Sequence, residues 1–324
     1  MIFSQLFLQL EPWHIVLIVI GALLLSSIPF GIWLVFAISR RVFLHTLSNR
    51  YEGGWGRQCS APDNPEQMKM WNDGIEYMSQ FIDKKIDVSI INDGLKLAGE
   101  FYNFGNKKTA VFLCGRSECL MYGYFYAKPY IESNYNVLFI DPRAHGLSEG
   151  TIATAGIKES RDLIAWMKYI KEKYGQEKFV THCLCVGGSC GLLAATDIEG
   201  KELVEKVVLD GAFINFKDSY TRHYVDLGHK KFPVLYLIWF WFRVYTKESA
   251  SKSDMLACLK KIDVPVLFLH SKNDKYSVPE NAELMFKETK TPNKQIVWFD
   301  KGSHSHIRNH ETEKYDNSIK KFLI

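Results

Sequence analysis

Between Ile15 and Ile38 the chain carries twenty-four residues without a charge, IVLIVIGALLLSSIPFGIWLVFAI. At 1.5 Å per residue this run makes about 36 Å of helix, enough to cross a hydrocarbon layer of about 30 Å. It reads as one retained span within an N-terminal segment 1–39. Trp13 and Trp33 are aromatic residues of the interfacial kind, and Pro29 is a place for a kink. A cleaved signal peptide fits less well, because no Lys or Arg precedes the run, the run is too long and no A-x-A site follows. Arg40 and Arg41 follow at once, with Arg50 and Arg57 beyond, whereas Glu11 is the one charge in front. An excess of cations on the C-terminal flank places the rest of the chain on the cytoplasmic side. The seven Cys agree with that: their number is odd and none stands in a C-x-x-C spacing, so a reducing compartment is the simpler reading.

Of 324 residues, 47% are hydrophobic and 23% charged, which excludes disorder and fibrous repeats. A net charge of +4, with no basic block or zinc-finger spacing, argues against a nucleic-acid partner. Residues 40–84 read as a connector, with a Gly-rich stretch (EGGWG, 52–56) and a helix opening near Asn64-Pro65-Glu66. From Lys85 the pattern becomes regular. Ile86, Val88 and Ile90 alternate with polar residues, and Asn92-Asp93-Gly94 turns the chain into Leu95, Leu97, Gly99 and Phe101, which predicts a hairpin. Continuous apolar runs follow at 110–114, 136–140, 206–210, 264–270 and 295–299, as expected of strands buried on both faces. Leu163, Ile164, Met167 and Ile170 share one helical face, as do Tyr315, Ile319, Phe322 and Leu323. Residues 85–324 therefore predict one α/β domain, a doubly wound, mostly parallel sheet with an antiparallel hairpin at its edge. Residues 211–255 break the rhythm with FPVLYLIWFWFRVY (232–245), too short to span a bilayer. An insertion covering the substrate site is the preferred reading, with a membrane-skimming helix beside the anchor as its rival and simple buried core as the third.

Four motifs stand at strand ends, where open parallel sheets collect function. They are Cys114-Gly115-Arg116, Asp141-Pro142-Arg143-Ala144-His145-Gly146-Leu147-Ser148, Ser271-Lys272-Asn273-Asp274 followed by Val278-Pro279, and Gly302-Ser303-His304. In this order they resemble the α/β-hydrolase superfamily, in particular its bacterial esterase-, lipase- and aminopeptidase-like branch, over roughly residues 85–324. The resemblance implies an α/β-hydrolase fold with a helical lid at about 211–255. It makes Asp274 the acid and His304 the base of a catalytic triad, with His306 and His310 as neighbours of no assigned role. It assigns the Arg116 N–H to the oxyanion hole, although Cys114 replaces the usual His, and it makes the Asp141–Ser148 loop structural.

The family's nucleophile elbow, G-x-S-x-G, fits in two registers. Literally, Gly187-Gly188-Ser189-Cys190-Gly191 makes Ser189 the nucleophile. By element length, Cys183-Leu184-Cys185-Val186-Gly187 fits better and puts Cys185 at the tip, with the Val186 N–H as second oxyanion donor. The Ser189 register needs a longer strand through Thr181, His182 and Cys183, polar for a central position. Thiol nucleophiles do occur in the family, as in dienelactone hydrolases and some acyl-CoA acyltransferases, and a His beside the thiol favours the thiolate.

The implied function is a membrane-anchored hydrolase of carboxylic esters or thioesters, working through a Cys185 (or Ser189), His304, Asp274 triad on a small-molecule or lipid-like acyl substrate. An acyltransferase using the same triad, or a non-catalytic membrane scaffold of the same fold, are the alternatives. No cofactor or metal is implied, because no ligand cluster or phosphate loop occurs in the sequence.

Overall fold

The structure, a computed structural model, describes residues 11–49 and 55–324. Arg50 and the first part of the Gly-rich stretch, 52–54, lie outside the described residues. Helix α1 (Pro12–Leu47) takes in the whole apolar run and is 36 residues long, about 54 Å. Up to Ile38 its large apolar side chains are exposed, whereas Ser39, Phe43, Leu44 and Leu47 are buried. The helix thus runs straight through the boundary expected at 39/40, and its last three turns are part of the folded domain. The apolar pattern Phe43, Leu44, Leu47 after the arginines is what buries them: it gives those turns one face for the core. Helix α2 (Pro65–Ser79) opens on Asn64, whose side chain accepts from the backbone N–H of Glu66 and Gln67.

The sheet has eight strands: β1 (Lys85–Asn92), β2 (Leu95–Tyr102), β3 (Lys108–Leu113), β4 (Asn136–Ile140), β5 (Lys178–Leu184), β6 (Val204–Asp210), β7 (Val266–Ser271) and β8 (Lys294–Phe299). Their order is β1-β2-β4-β3-β5-β6-β7-β8. β2 pairs antiparallel with both β1 and β4, and every pair from β4 to β8 is parallel. Four longer helices connect or flank the strands: α3 (Ile157–Tyr174), α4 (Gly187–Thr196), α7 (Pro279–Glu288) and α8 (Thr312–Leu323). Between β6 and β7 stand α5 (Phe216–Asp226) and α6 (Val234–Thr246), which form the helical insertion.

Side chains alternate across the sheet, so both faces are core. Val111, Leu113, Leu138 and Ile140 pack on one side with α3, α4 and the end of α1. Ala110, Phe112, Val137 and Phe139 pack on the other with Tyr130, Tyr315 and Ile319. Because β3, β5, β6, β7 and β8 are parallel and in register, with Leu113 beside Cys183 and Leu184 beside Asp210, their carboxyl ends meet along one edge. That edge carries the site.

Candidate active site

The turn after β5 is tight. Cys185 follows the strand directly and has φ 51°, a left-handed conformation that a non-glycine residue adopts at a cost of about 1–3 kcal/mol. Its N–H donates to the Asp210 carbonyl at 2.9 Å, and its carbonyl accepts from the Gly188 N–H at 3.0 Å as α4 begins. Gly187 is required here because a Cβ would strike the Leu113 carbonyl oxygen of the neighbouring strand. Cys183, standing where the elbow pattern has its first Gly, fits because Gly191 of α4 leaves room for its sulfur. Ser189 lies within α4, 1% exposed, with its Oγ 2.7 Å from the Ser253 Oγ, and it does not line the cleft. The polar residues of β5 do not exclude a central strand, contrary to the sequence expectation. His182 is buried between the hydroxyls of Tyr130 (2.9 Å) and Tyr315 (3.2 Å), which satisfy both ring nitrogens.

His304 and Asp274 meet across the loops after β8 and β7. The His304 Nδ1 is 2.6 Å from the Asp274 Oδ2, while the other carboxylate oxygen accepts from the N–H groups of Tyr276 (2.9 Å) and Ser277 (2.7 Å). Ser271 donates to the Gly302 carbonyl at 2.6 Å and so ties the two loops together. Burial disfavours the charged imidazole, but Cys185 on one side and Asp274 on the other outweigh it. His304 is therefore protonated well above the ordinary imidazole range. By contrast, burial pushes the Cys183 thiol up to about 12 and holds that of Cys190 well above its usual range, so those sulfurs stay neutral.

The N–H groups of Arg116 and Val186 border the same space and make no hydrogen bond among the described residues. The Arg116 side chain points elsewhere: its Nη1 donates to the Thr46 carbonyl at the C-terminal end of α1 at 3.2 Å. A guanidinium there complements the negative end of the helix dipole. Cys185, Arg116 and His304 open into a cleft of about 380 Å³ walled by Phe213, Phe216 and Tyr220. Past Arg116 lies a narrow apolar pocket of about 50 Å³, reached by Leu47 of α1, Leu113, Ile140 and Trp166. The wall of the cleft comes from α5; α6 stands behind it, with Trp239 against Tyr220 at 5.2 Å between ring centres.

The Asp141–Ser148 loop is held by its own polar groups. Asp141 accepts from Arg57 and from the N–H groups of Leu120 and Leu147, and Arg143 forms a two-bonded pair with Asp162. Ala144 has φ 67°, which explains why the family pattern has Gly at that place.

A family profile described as alpha/beta hydrolase fold matches residues 112–230, the stretch from β3 through the elbow into the lid. The chain has the α/β-hydrolase fold. Among solved structures with this fold, the esterase Pf2001 of Pyrococcus furiosus is 24% identical with a TM-score of 0.61, covering 76% of this chain and 94% of its own. The esterase EaEST of Exiguobacterium antarcticum is 17% identical with a TM-score of 0.54, covering 74% of this chain and 100% of its own. The uncharacterized protein YqkD of Bacillus subtilis is 26% identical over 61% of this chain, and the match spans 65% of YqkD, under two thirds of its length.

Two residues beside this candidate site, Glu118 and Gln67, carried no signal in the sequence, and they join His306 in one network. Glu118 accepts from the Gly115 N–H (2.8 Å) and from Gln67 of α2 (3.3 Å). The Gln67 Oε1 lies 2.8 Å from the His306 Nε2, and the His306 Nδ1 lies 2.8 Å from the His304 carbonyl. Burial holds the Glu118 carboxyl above its usual range, against the pull of those donors. This network binds the loop after β3 to the loop after β8 through α2, a helix outside the strand rhythm that identified the other motifs.

Proposed function

We propose that this protein is a membrane-anchored acyl hydrolase acting on carboxylic esters or thioesters, with Cys185 as nucleophile, His304 as general acid and base, and Asp274 as the carboxylate behind it. The observation that carries the reading is Cys185 held at φ 51° at the strand-to-helix turn, facing a histidine already bonded to a buried carboxylate. Its thiolate attacks the acyl carbon, a C–S bond forms, and the N–H groups of Arg116 and Val186 receive the oxyanion. Collapse breaks the bond to the leaving oxygen or sulfur, which takes the proton from His304. Water then attacks the thioester as His304 removes its proton, the C–S bond breaks, and acid and thiolate are released. The acyl group sits in the narrow apolar pocket, of which Leu47 is a wall, so the anchor helix contributes directly to substrate binding. α1 crosses the bilayer, with the hydrolase domain on the cytoplasmic side.

A panel of p-nitrophenyl esters and acyl thioesters of graded chain length tests this with the full-length protein in detergent. Turnover of at least one series, lost in both Cys185→Ala and His304→Ala, is expected. Absence of any turnover, or turnover that survives both changes, would show that the fold carries no such chemistry here.

A further inference from the structure

Helix α6 is fixed at the level where the apolar run of α1 ends. The Phe36 ring packs on Phe240 and on Trp241, each at 6.1 Å, and Phe43 stacks on Tyr245 at 5.3 Å. Trp241 donates to the Ser39 hydroxyl at 3.0 Å, and the Arg40 Nε donates to the Tyr245 hydroxyl at 2.5 Å. Phe36 belongs to the uncharged run, and Arg40 and Arg41 are the first cations after it. On the side of α6 turned away from the domain, Tyr236, Phe240 and Val244 recur every four residues, with Phe232 just ahead of the helix. They are 64%, 49%, 38% and 78% exposed. A four-residue spacing sets them on one ridge, and at Phe36 that ridge joins the exposed apolar surface of α1 without a break.

Cations border the ridge. Lys230 and Lys231 stand at its start, Arg243 and Lys247 near its end, and Arg40 and Arg41 beside it; none forms an ion pair with an acidic residue among the described residues. Glu248, the acidic residue at the far end, is already engaged by Arg161 and Lys252, and Asp226 precedes Lys230 by one turn of loop. An apolar ridge with a cationic border suits an anionic lipid surface.

We propose that α6 is a membrane-docking surface. It lies in the headgroup layer of the leaflet from which α1 emerges, with Phe232, Tyr236 and Phe240 at the acyl boundary and the bordering cations on anionic headgroups. The proposal rests on α1 spanning the bilayer. Two attachments, one along the membrane normal and one in its plane, fix the rotation of the domain. Through Trp239, which backs Phe216 and Tyr220, they set the wall of the cleft against the leaflet. The acyl substrate then enters from the membrane side.

The test uses the full-length protein with p-benzoylphenylalanine in place of Tyr236, Phe240, Leu24 or Ile198, reconstituted in bilayers of phosphatidylcholine with or without phosphatidylglycerol and irradiated. Ile198 is also 80% exposed but follows α4 at the opposite end of the domain, so it reports exposure alone. Lipid adducts are expected at 24, 236 and 240 and not at 198. Those at 236 and 240 should fall about three-fold or more when the anionic lipid is omitted or salt is raised. Adducts at 24 but none at 236 and 240 would overturn the docking surface and leave the span standing. No adducts at 24 would remove the span, and the docking surface with it. Crosslinks from 236 or 240 to a second copy of the chain, in place of lipid, would make this ridge a self-association face and overturn the proposal.

Discussion

Cys185 and Ser189 are four residues apart, and backbone geometry separates their chemistry. Cys185 is presented to the cleft by a positive φ, while Ser189 is enclosed in α4 with its hydroxyl committed to Ser253. Alkylation by iodoacetamide near neutral pH should therefore label Cys185 ahead of Cys183 and Cys190, as read by peptide mass spectrometry. His304→Ala should slow that labelling, because the base beside the sulfur is gone. Ser189→Ala should keep most activity and cost about 1 kcal/mol of stability for the lost buried hydrogen bond. A different prediction concerns Asp210, buried beneath the elbow and accepting from the Tyr315 hydroxyl at 2.7 Å. Burial pushes its carboxyl up to about 7, against Tyr315 and His304 and with some help from Asp274. In the unfolded chain it ionises near the usual value of about 3.9, so between those values the native state holds a proton that the unfolded state has released. Stability from this group is therefore lost as pH rises through that window. Asp210→Asn should raise the melting temperature near pH 8 and change it little near pH 4. The end of β5 and the turn at Cys185 follow from small residues and strand length in the sequence. The places of Glu118 and Gln67 do not, because their role depends on where two distant loops happen to meet.

At the scale of elements, α1 does two things in succession: an exposed apolar stretch, then three turns of domain core ending against the Arg116 loop. The sequence showed the first through its lack of charge. The second was hidden because Arg40 and Arg41 look like the end of a helix, whereas their long side chains leave the opposite face free to be buried. Phe43 is fully buried against Phe242 and Tyr245. Phe43→Ala should cost about 3–5 kcal/mol, seen as a lower urea midpoint of the detergent-solubilised full chain. Leu47→Ala lengthens the narrow pocket. Its expected signature is a rise in kcat/KM for longer acyl chains relative to short ones, by up to about ten-fold for one or two added methylenes. A uniform loss across chain lengths would instead mark a collapsed wall. The break in the strand rhythm at 211–255 falls between β6 and β7, where α5 and α6 stand, and the aromatic helix α6 stands behind the cleft. The less conspicuous α5 forms the wall, because its Phe216 and Tyr220 face inward where α6 faces α1 and the outside.

For the whole molecule, the parallel register of six strands, β3 to β8, decides where everything else goes. It was readable from continuous apolar runs, since strands buried on both faces cannot alternate. The order β1-β2-β4-β3 was not, because pairing at the hairpin edge depends on long-range packing rather than on any local pattern. Orientation across the membrane is a property of the whole chain. A reporter fused after Ile324 that is active only when exported should stay silent, while one that requires the cytoplasm should be active. The reverse pattern would invert the topology without disturbing the site.

If catalysis runs through Cys185, its sulfur carries an acyl group between the two steps. The most direct measurement is brief incubation of the full-length protein with an activated ester, acid quenching, and localisation of the adduct by peptide mass spectrometry. One acyl group on Cys185 is expected, present in Ser189→Ala and absent in Cys185→Ala. An acyl group on Ser189, or turnover of the ester with Cys185 unmodified and dispensable, would contradict it.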